Sequence, residues 1–332
     1  RTPGMTAPRI AVIGAGLAGL ACARALAARG ARSRLFDKGR AAGGRLATRR
    51  AEAAGQALQF DHGAQYLTAR SAAFAALLAE AGAQPWGEPG RFVGAPGMSA
   101  LPRALARGLD LAAGRHVTAL AGRPGAWMVR HLDAALVRPG MPLPPDPPAE
   151  EGPFEAVAIA LPPDQAAPLV APQAPAWPGL LAGVRLAPCW TVMAAFAARL
   201  PLPDSLRPAL GSPDGGAIGW AARDNSKPGR PAAECWVVQG SPAWSRAHLE
   251  QTPAEVMPAL LAALGALAGT DLPAPIHAAA HRWRYSLVEA PLGRPCLHDP
   301  GLRLGLAGDW CLAGRAEAAF ESGLALADAL LP

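Results

Sequence analysis

Gly14, Gly16 and Gly19 stand in the pattern G-x-G-x-x-G, directly after the apolar run 10–13 and at the head of a segment of small residues. Each glycine has its own use in a strand–turn–helix that holds a diphosphate. Gly14 permits the tight turn, Gly16 lets phosphate oxygens reach the backbone, and Gly19 lets helix and strand pack closely. The intervening Ala15, Leu17 and Ala18 carry backbone N–H groups to the positive end of a helix dipole, where an anion is favoured. Asp37, at the end of the next apolar run, is placed to accept hydrogen bonds from a ribose diol, with Lys38 beside it. Glycines, helix start and acid together specify a dinucleotide without choosing between a nicotinamide and a flavin.

The next glycines narrow that choice. Gly43-Gly44-Arg45 resembles the G-G-R stretch that follows the second strand in flavoproteins of the amine-oxidase and glutathione-reductase class. There the glycines admit the backbone and the arginine fork pairs with pyrophosphate oxygens. Toward the other end, Gly308-Asp309 is similar to the strand-end G-D motif of the same class, whose Asp bonds the ribityl chain. Glu317, Ala318 and Ala319 then open a helix. A helix N-terminus facing the flavin pyrimidine stabilises the negative charge that reduction places near N1 and O2. Val117 and Leu161 complete the expected cofactor contacts. The cofactor is expected to be FAD held noncovalently: Cys296 and Cys311 do not stand in the context of a thioether link, so denaturation should release free FAD.

Five further stretches extend the resemblance: 60–66 (Phe-Asp-His-Gly-Ala-Gln-Tyr), 93–99, 225–230, 241–248 and 281–286 (His-Arg-Trp-Arg-Tyr-Ser). Together they resemble the renalase family in its bacterial form, over nearly the whole chain from Met5. The resemblance implies an amine-oxidase-like two-domain fold. It also implies a dinucleotide substrate: hydride passes from the 2- or 6-dihydro isomers of NAD(P)H to FAD, giving NAD(P)+ and, with O2, hydrogen peroxide. A dihydropyridine gains aromaticity on losing hydride, so no enzymic base is required, only a ring held flat at near-attack distance. The substrate-pocket candidates are His62, Gln65, Tyr66, Trp220, Lys227, His281, Trp283 and Tyr285. His62, Gly63, Ala64 and Gln65 are also expected at the flavin edge. Which isomer is preferred, and whether it is phosphorylated, stays open; Arg223, Arg230 and Arg246 are each able to meet a phosphate or only solvent.

Lysine is scarce: only Lys38 and Lys227 occur. Many amine oxidases set a lysine, through water, at flavin N5. Lys38 belongs to the adenosine end. Lys227 lies among Pro and Gly and is expected on a surface loop, or closing over a substrate phosphate. This counts against a flavin amine oxidase or desaturase without excluding it, since some members lack that lysine; it stays the alternative reading, and a non-catalytic FAD- or dinucleotide-binding redox sensor a further one.

The bulk composition excludes other classes. The net charge of +6 is spread along the chain with no basic tract interleaved with aromatics, so no nucleic-acid polymer is expected as partner. No apolar run reaches the ~20 residues of a bilayer span, so no membrane partner is expected. The five cysteines are widely spaced and odd in number, which suits reduced thiols and a cytoplasmic location. No metal site is expected: His277 and His281 share a strand face with no obvious third ligand. Nothing in the sequence sets an oligomeric state.

These residues need a scaffold. The runs 9–13 and 34–36 around a helix over 17–29 predict a β-α-β unit and a parallel sheet. The segment 71–81 reads as a helix, Ser99 as the cap of another ending near 107, and 117–120 with 126–130 as a hairpin. The proline-rich 139–153 is expected as a surface loop, and 156–161 as a strand. The middle changes style, with strands at 189–197, 217–222, 235–240 and 278–285. There a capping box at Thr252 and Glu255 starts one cover helix. A strand at 302–306 and a helix over 316–330 return to the first style. The expected fold is α/β: a discontinuous Rossmann-type FAD-binding domain (5–70, 91–165, 287–332) with an inserted β-rich α+β substrate domain (71–90, 166–286). Residues 1–4, ahead of Met5, are expected to be foreign to the protein.

Overall fold

The structure, a computed structural model, describes residues 7–138 and 140–331. In chain order it begins with β1 (Arg9–Ile13), α1 (Leu17–Ala28), β2 (Arg32–Asp37), β3 (Thr48–Ala53), β4 (Gln56–Asp61), β5 (Leu67–Thr68), α2 (Ala72–Glu80), β6 (Gln84–Pro85), β7 (Arg91–Val93) and α3 (Ala100–Leu105). Next come β8 (Asp110–Ala113), β9 (Arg115–Arg123), β10 (Ala126–Asp133), β11 (Ala149–Phe154), β12 (Ala156–Ile159), α4 (Pro163–Val170) and α5 (Trp177–Leu181). Then follow β13 (Arg185–Phe196), β14 (Ser205–Leu206), β15 (Ile218–Arg223), β16 (Glu234–Gly240), α6 (Pro242–Ala247) and α7 (Pro253–Ala268). The chain ends with β17 (His277–Ala290), β18 (Leu297–Asp299), β19 (Leu304–Leu306) and α8 (Ala316–Leu330).

The chain forms two compact units, one from Arg1–Gly44, Pro102–Arg185 and Val288–Pro332, the other from Arg45–Leu101 and Leu186–Leu287. The first holds a six-stranded sheet in the order β18-β19-β12-β1-β2-β8. Its strands are parallel except for β18, which runs against β19. β1 and β12 are short apolar runs buried along nearly their whole length, as expected of parallel strands covered on both faces. The link from β1 to β2 is α1, whose alanines favour helix and add little bulk. That small bulk matters: a Cβ on Gly323 of α8 would lie 2.2 Å from the carbonyl oxygen of Ala18 in α1. The two helices thus meet backbone to side of backbone. A second, antiparallel sheet, β11-β10-β9, completes this unit.

The second unit is built on the five-stranded sheet β14-β15-β16-β13-β17. β13 sends Val192, Ala194 and Phe196 to one face and Met193 and Ala195 to the other, and all are buried. Val256, Leu260 and Leu264 of α7 cover the first face, with Trp190 and Trp236 between. The helix starts where the sequence places it: the Thr252 N–H donates to Glu255 Oε2 at 2.7 Å, and Gly269 (φ 67°) ends it in the left-handed region. Leu58 and Phe60 of the β3–β4 hairpin cover the other face.

Three expectations need correction. Residues 45–70 and 91–101 lie in the second unit, because the β3–β4 hairpin belongs to that unit's core. Residues 166–185 lie in the first: α4 is buried there through Ala166, Leu169 and Val170, and Gln173 Nε2 donates to the Leu120 carbonyl at 3.0 Å. Part of the loop expected at 139–153 is strand, since β11 pairs with β10 from Ala149 onward; Pro139 lies outside the described residues.

The contact between α8 and α1 gives a direct check. Gly323→Ala should cost ~1–3 kcal/mol in urea unfolding, because backbone cannot retreat as a side chain can. An unchanged midpoint would contradict the packing described.

Candidate functional site

The first turn is closed from below and open above. Gly14, at φ +101°, donates its N–H to the Phe36 carbonyl at 2.8 Å. A Cβ there would sit 2.5 Å from the Ala160 carbonyl oxygen, and one on Gly19 only 1.9 Å from that of Gly14. A Cβ on Gly16 would meet nothing within 4 Å. Gly16 caps α1 without a side-chain hydrogen bond, and no acidic residue stands in the first helical turn. The glycine pair comes alongside: Gly43 N donates to the Ala15 carbonyl at 3.0 Å, and a Cβ on Gly44 would lie 3.4 Å from Gly16 Cα. An open space over a bare helix N-terminus, floored by backbone, suits a diphosphate. It is bordered by Leu17 and Ala18 and by Leu161, whose Cδ2 lies 3.1 Å from where a Gly14 Cβ would be. Val117 lies in β9 opposite His131 of β10.

Asp37 braces this loop. Its Oδ2 accepts from Ala15 N and its Oδ1 from Gly39 N, both at 2.6 Å. A carboxylate offers about four acceptor directions, so capacity remains for a ribose. Lys38 is directed to Gln165 Oε1 at 3.4 Å.

The C-terminal motif is similarly tight. Gly308 N donates to Ser322 Oγ at 3.0 Å, and a Cβ on Gly308 would lie 2.2 Å from Trp310 Nε1. That indole N–H is itself committed to the Leu161 carbonyl at 3.0 Å. Asp309 Oδ1 accepts from Trp310 N at 2.9 Å. Asp309, Glu317, Ala318 and Ala319 are buried, and Arg315 caps α8 without a side-chain hydrogen bond.

Arg45 lies in the second unit. Its Nη1 donates to the Ser286 carbonyl at 2.6 Å, so at least part of the fork ties β17 to the 45–63 segment. Ala64 N returns to the Arg45 carbonyl at 2.9 Å, and a Cβ on Gly63 would clash with that carbonyl at 2.0 Å. Three pocket candidates meet here. His62 stacks on Trp283 at 5.3 Å between centroids and meets His281 edge-on at 5.1 Å. Trp283 Nε1 donates to the His62 carbonyl at 2.8 Å, which fixes the indole plane. Burial pushes both imidazoles down to about 4; at His62 the neighbouring His281 and then Arg49 add to this, and at His281 Arg49 does. Both are neutral at physiological pH. Tyr285 is half-buried one turn of the pleat further along β17, while Arg284 on the other face pairs with Glu250 at 2.8 Å.

Lys227 is not on a surface loop. Its side chain is fully buried, 2.5 Å from Asp224 Oδ1, 3.5 Å from Asp61 Oδ2 and 3.4 Å from Gln65 Oε1. Arg230 also pairs with Asp61. Asp61 further accepts from Thr48 Oγ1 at 2.7 Å and Met98 N at 2.9 Å. Burial works against its ionisation, but Lys227 and Arg230 hold it below the usual carboxylate range; burial and the adjacent Asp61 push Asp224 up. Gln65 is likewise committed, donating to the carbonyls of Asp61 and Gly63 at 2.5 and 3.1 Å. Arg223 is also buried, with Nε on Glu234 at 3.0 and 3.1 Å, so it is not placed to meet a ligand phosphate. Charge burial of this kind has no spacing signal, which is why Asp61, Asp224 and Arg230 were not legible as a group. Tyr66 and Trp220 pair at 5.3 Å with Arg91 over both rings.

Comparison with known proteins follows the glycine loop. Residues 12–81 match the family described as NAD(P)-binding Rossmann-like domain. A protein of Exiguobacterium sp. 255-15 provisionally named protoporphyrinogen oxidase superposes with a TM-score of 0.72 at 13% identity, covering 98% of this chain and 99% of that one. A double mutant of putrescine oxidase gives 0.71 at 14% identity, covering 98% and 100%, and the wild type bound to putrescine gives 0.69 at 14%, covering 97% and 98%. This chain has their fold. It is the mixed α/β architecture with a Rossmann-type dinucleotide domain.

Two outcomes are expected. Lys227→Met leaves two buried carboxylates facing one arginine and should cost ~3–5 kcal/mol of stability in chemical denaturation, against a surface lysine's near-zero effect. The histidines give a pH dependence. They charge near 6.5 in the unfolded chain but only near about 4 in the fold, so the unfolded state binds more protons between these values. Their contribution is whole above pH 6.5 and is lost as pH falls toward 4. His62→Gln/His281→Gln should flatten that part of the stability profile; an unaltered slope would contradict their neutral burial.

Proposed function

We propose that this protein is an FAD-dependent oxidoreductase that removes hydride from the 2- or 6-dihydro isomers of NAD(P)H, yielding NAD(P)+ and, with O2, hydrogen peroxide. The observation that carries the cofactor reading is the open space above Gly16 at the bare N-terminus of α1, beside Gly43 and Gly44. Gly14, Ala15, Gly16 and the first turn of α1 would hold the diphosphate, Asp37 the ribose, and Asp309 with the head of α8 the ribityl and pyrimidine end. FAD when bound supplies the two-electron acceptor.

The remaining chemistry falls to the chain. Trp283, His62 and His281 supply flat, uncharged surfaces on which a dihydropyridine can lie. Their neutrality suits a donor whose ring becomes cationic as hydride leaves, since a charged imidazolium nearby would oppose that change. The committed N–H of Trp283 holds this wall in one orientation, so the ring is positioned without fresh ordering cost.

The amine-oxidase alternative draws on the same fold. The lysines favour the first reading over it: Lys38 is turned to Gln165, and Lys227 is enclosed by Asp61, Asp224 and Gln65. Neither supports the lysine–water arrangement of many amine oxidases. Anaerobic mixing with 2- and 6-dihydro-NAD(P) separates the two. Rapid bleaching by an isomer and none by a panel of amines, putrescine included, is expected; bleaching by an amine alone would overturn the substrate assignment.

A further inference from the structure

A second cleft lies wholly within the second unit, away from the His62–Trp283 stack, and takes in two of the substrate-pocket candidates, Tyr66 and Trp220. It has a volume of about 400 Å³ and is lined by Tyr66, Glu88, Arg91, Arg207 and Trp220, among others. Strand pairing explains how they meet. Leu206 of β14 stands opposite Ala221 of β15, so the next residues along, Arg207 and Trp220, come side by side. Thr68 of β5 stands opposite Arg91 of β7, which carries Tyr66 to the same place. β15 shifts register between Ile218 and Trp220, where Gly219 lies against Ser241.

The chemistry of this cleft is specific. Arg91 lies 4.5 Å from the Tyr66 ring and 5.4 Å from the Trp220 ring, and Arg207 lies 5.7 Å from the latter. Trp220 is only 7% exposed, and its indole N–H has no hydrogen-bond partner among the described residues. A buried donor left unmatched is costly, and a ligand acceptor would remove that cost. Arg207 has no carboxylate partner among the described residues. Arg91 does, and it is informative: Glu88 Oε2 sits 2.7 Å from Nη2, with its side chain 72% exposed. With the carboxylate so open to water the pair contributes little stability, while the Arg91 side chain, 17% exposed, stays in the cleft. Glu88 thus occupies the place an incoming anion would take.

We propose that this cleft binds a small molecule carrying a planar ring and an oxyanion, phosphate or carboxylate. The ring lies against Tyr66 and Trp220, and the oxyanion takes Arg207, the Trp220 N–H and Arg91, displacing Glu88. This goes beyond the redox reading and stands without it, because none of these side chains belongs to the glycine loop or to the His62–Trp283 stack.

Isothermal titration of the full chain with phenyl phosphate and with benzoate tests it, with phenol and inorganic phosphate as controls. At least one ring-bearing anion should bind about tenfold more tightly than either control, and which one does identifies the oxyanion. Arg207→Gln should weaken that binding about tenfold, and Trp220→Phe, which keeps the ring and removes the N–H, about fivefold. Glu88→Gln should strengthen it about threefold, a gain that a damaged fold does not produce. Binding equal to the controls, or a Glu88→Gln variant no tighter than the parent together with an unaffected Arg207→Gln, would overturn the proposal. The result does not depend on turnover: failure here leaves the anaerobic bleaching by dihydronicotinamide isomers untouched, and failure there leaves this binding in place.

Discussion

Helix α1 has no room for a side chain on either of two faces. Gly19 brings it onto the turn it follows, with the Gly14 carbonyl oxygen where a Cβ would have to go. Gly323 of α8 closes on Ala18 from another side. Most of what the first unit offers chemically depends on this close approach. Backbone packed to backbone holds the N-terminus of α1 at a fixed height above β1, and the absence of a side chain at Gly16 leaves the space over it open. The positive end of the helix is thereby presented bare and held still. Asp37, Gly43 and Gly44 then border that opening through hydrogen bonds to Ala15 and contact with Gly16 rather than through flexible side chains.

The second unit is ordered by a different principle, the confinement of polar groups. Asp61, Asp224, Lys227 and Arg230 balance one another out of contact with water, and removing any one leaves the others exposed to the low dielectric without compensation. Gln65 is tied into the same group, and its neighbour His62 is held neutral against Trp283 and His281. The aromatic wall of His62, His281 and Trp283 is uncharged and stands next to this group of buried ions. The cleft around Arg91 and Arg207 is different, since it keeps unmatched positive charge and an unmatched indole N–H.

Where the sequence was informative, local chemistry dictated local structure. The turn at 14–19, the capping box at Thr252, the buried run of β1 and the helix over 316–330 each follow from residue type and spacing alone, and each forms as expected. The alternation of β13 was legible as strand but not as strand buried on both faces, because that depends on the β3–β4 hairpin arriving from distant sequence. The same hairpin moved the unit boundary to Arg45. Lys227 was misplaced for a related reason. Pro228 and Gly229 directly after it read as an exposed loop, whereas its ammonium is enclosed by carboxylates from residues 61 and 224, the first far away in sequence. Arg45 reads as a phosphate fork by motif, and one of its N–H groups meets the distant carbonyl of Ser286. Long-range partners decide such cases, and a single sequence does not display them.

On the proposed reading, the space above Gly16 holds the diphosphate of an FAD. The most direct measurement is the visible absorption spectrum of the protein after incubation with FAD and removal of the unbound fraction. A retained flavin band that passes into the supernatant when the protein is denatured is expected. A colourless protein that takes up no flavin would contradict it.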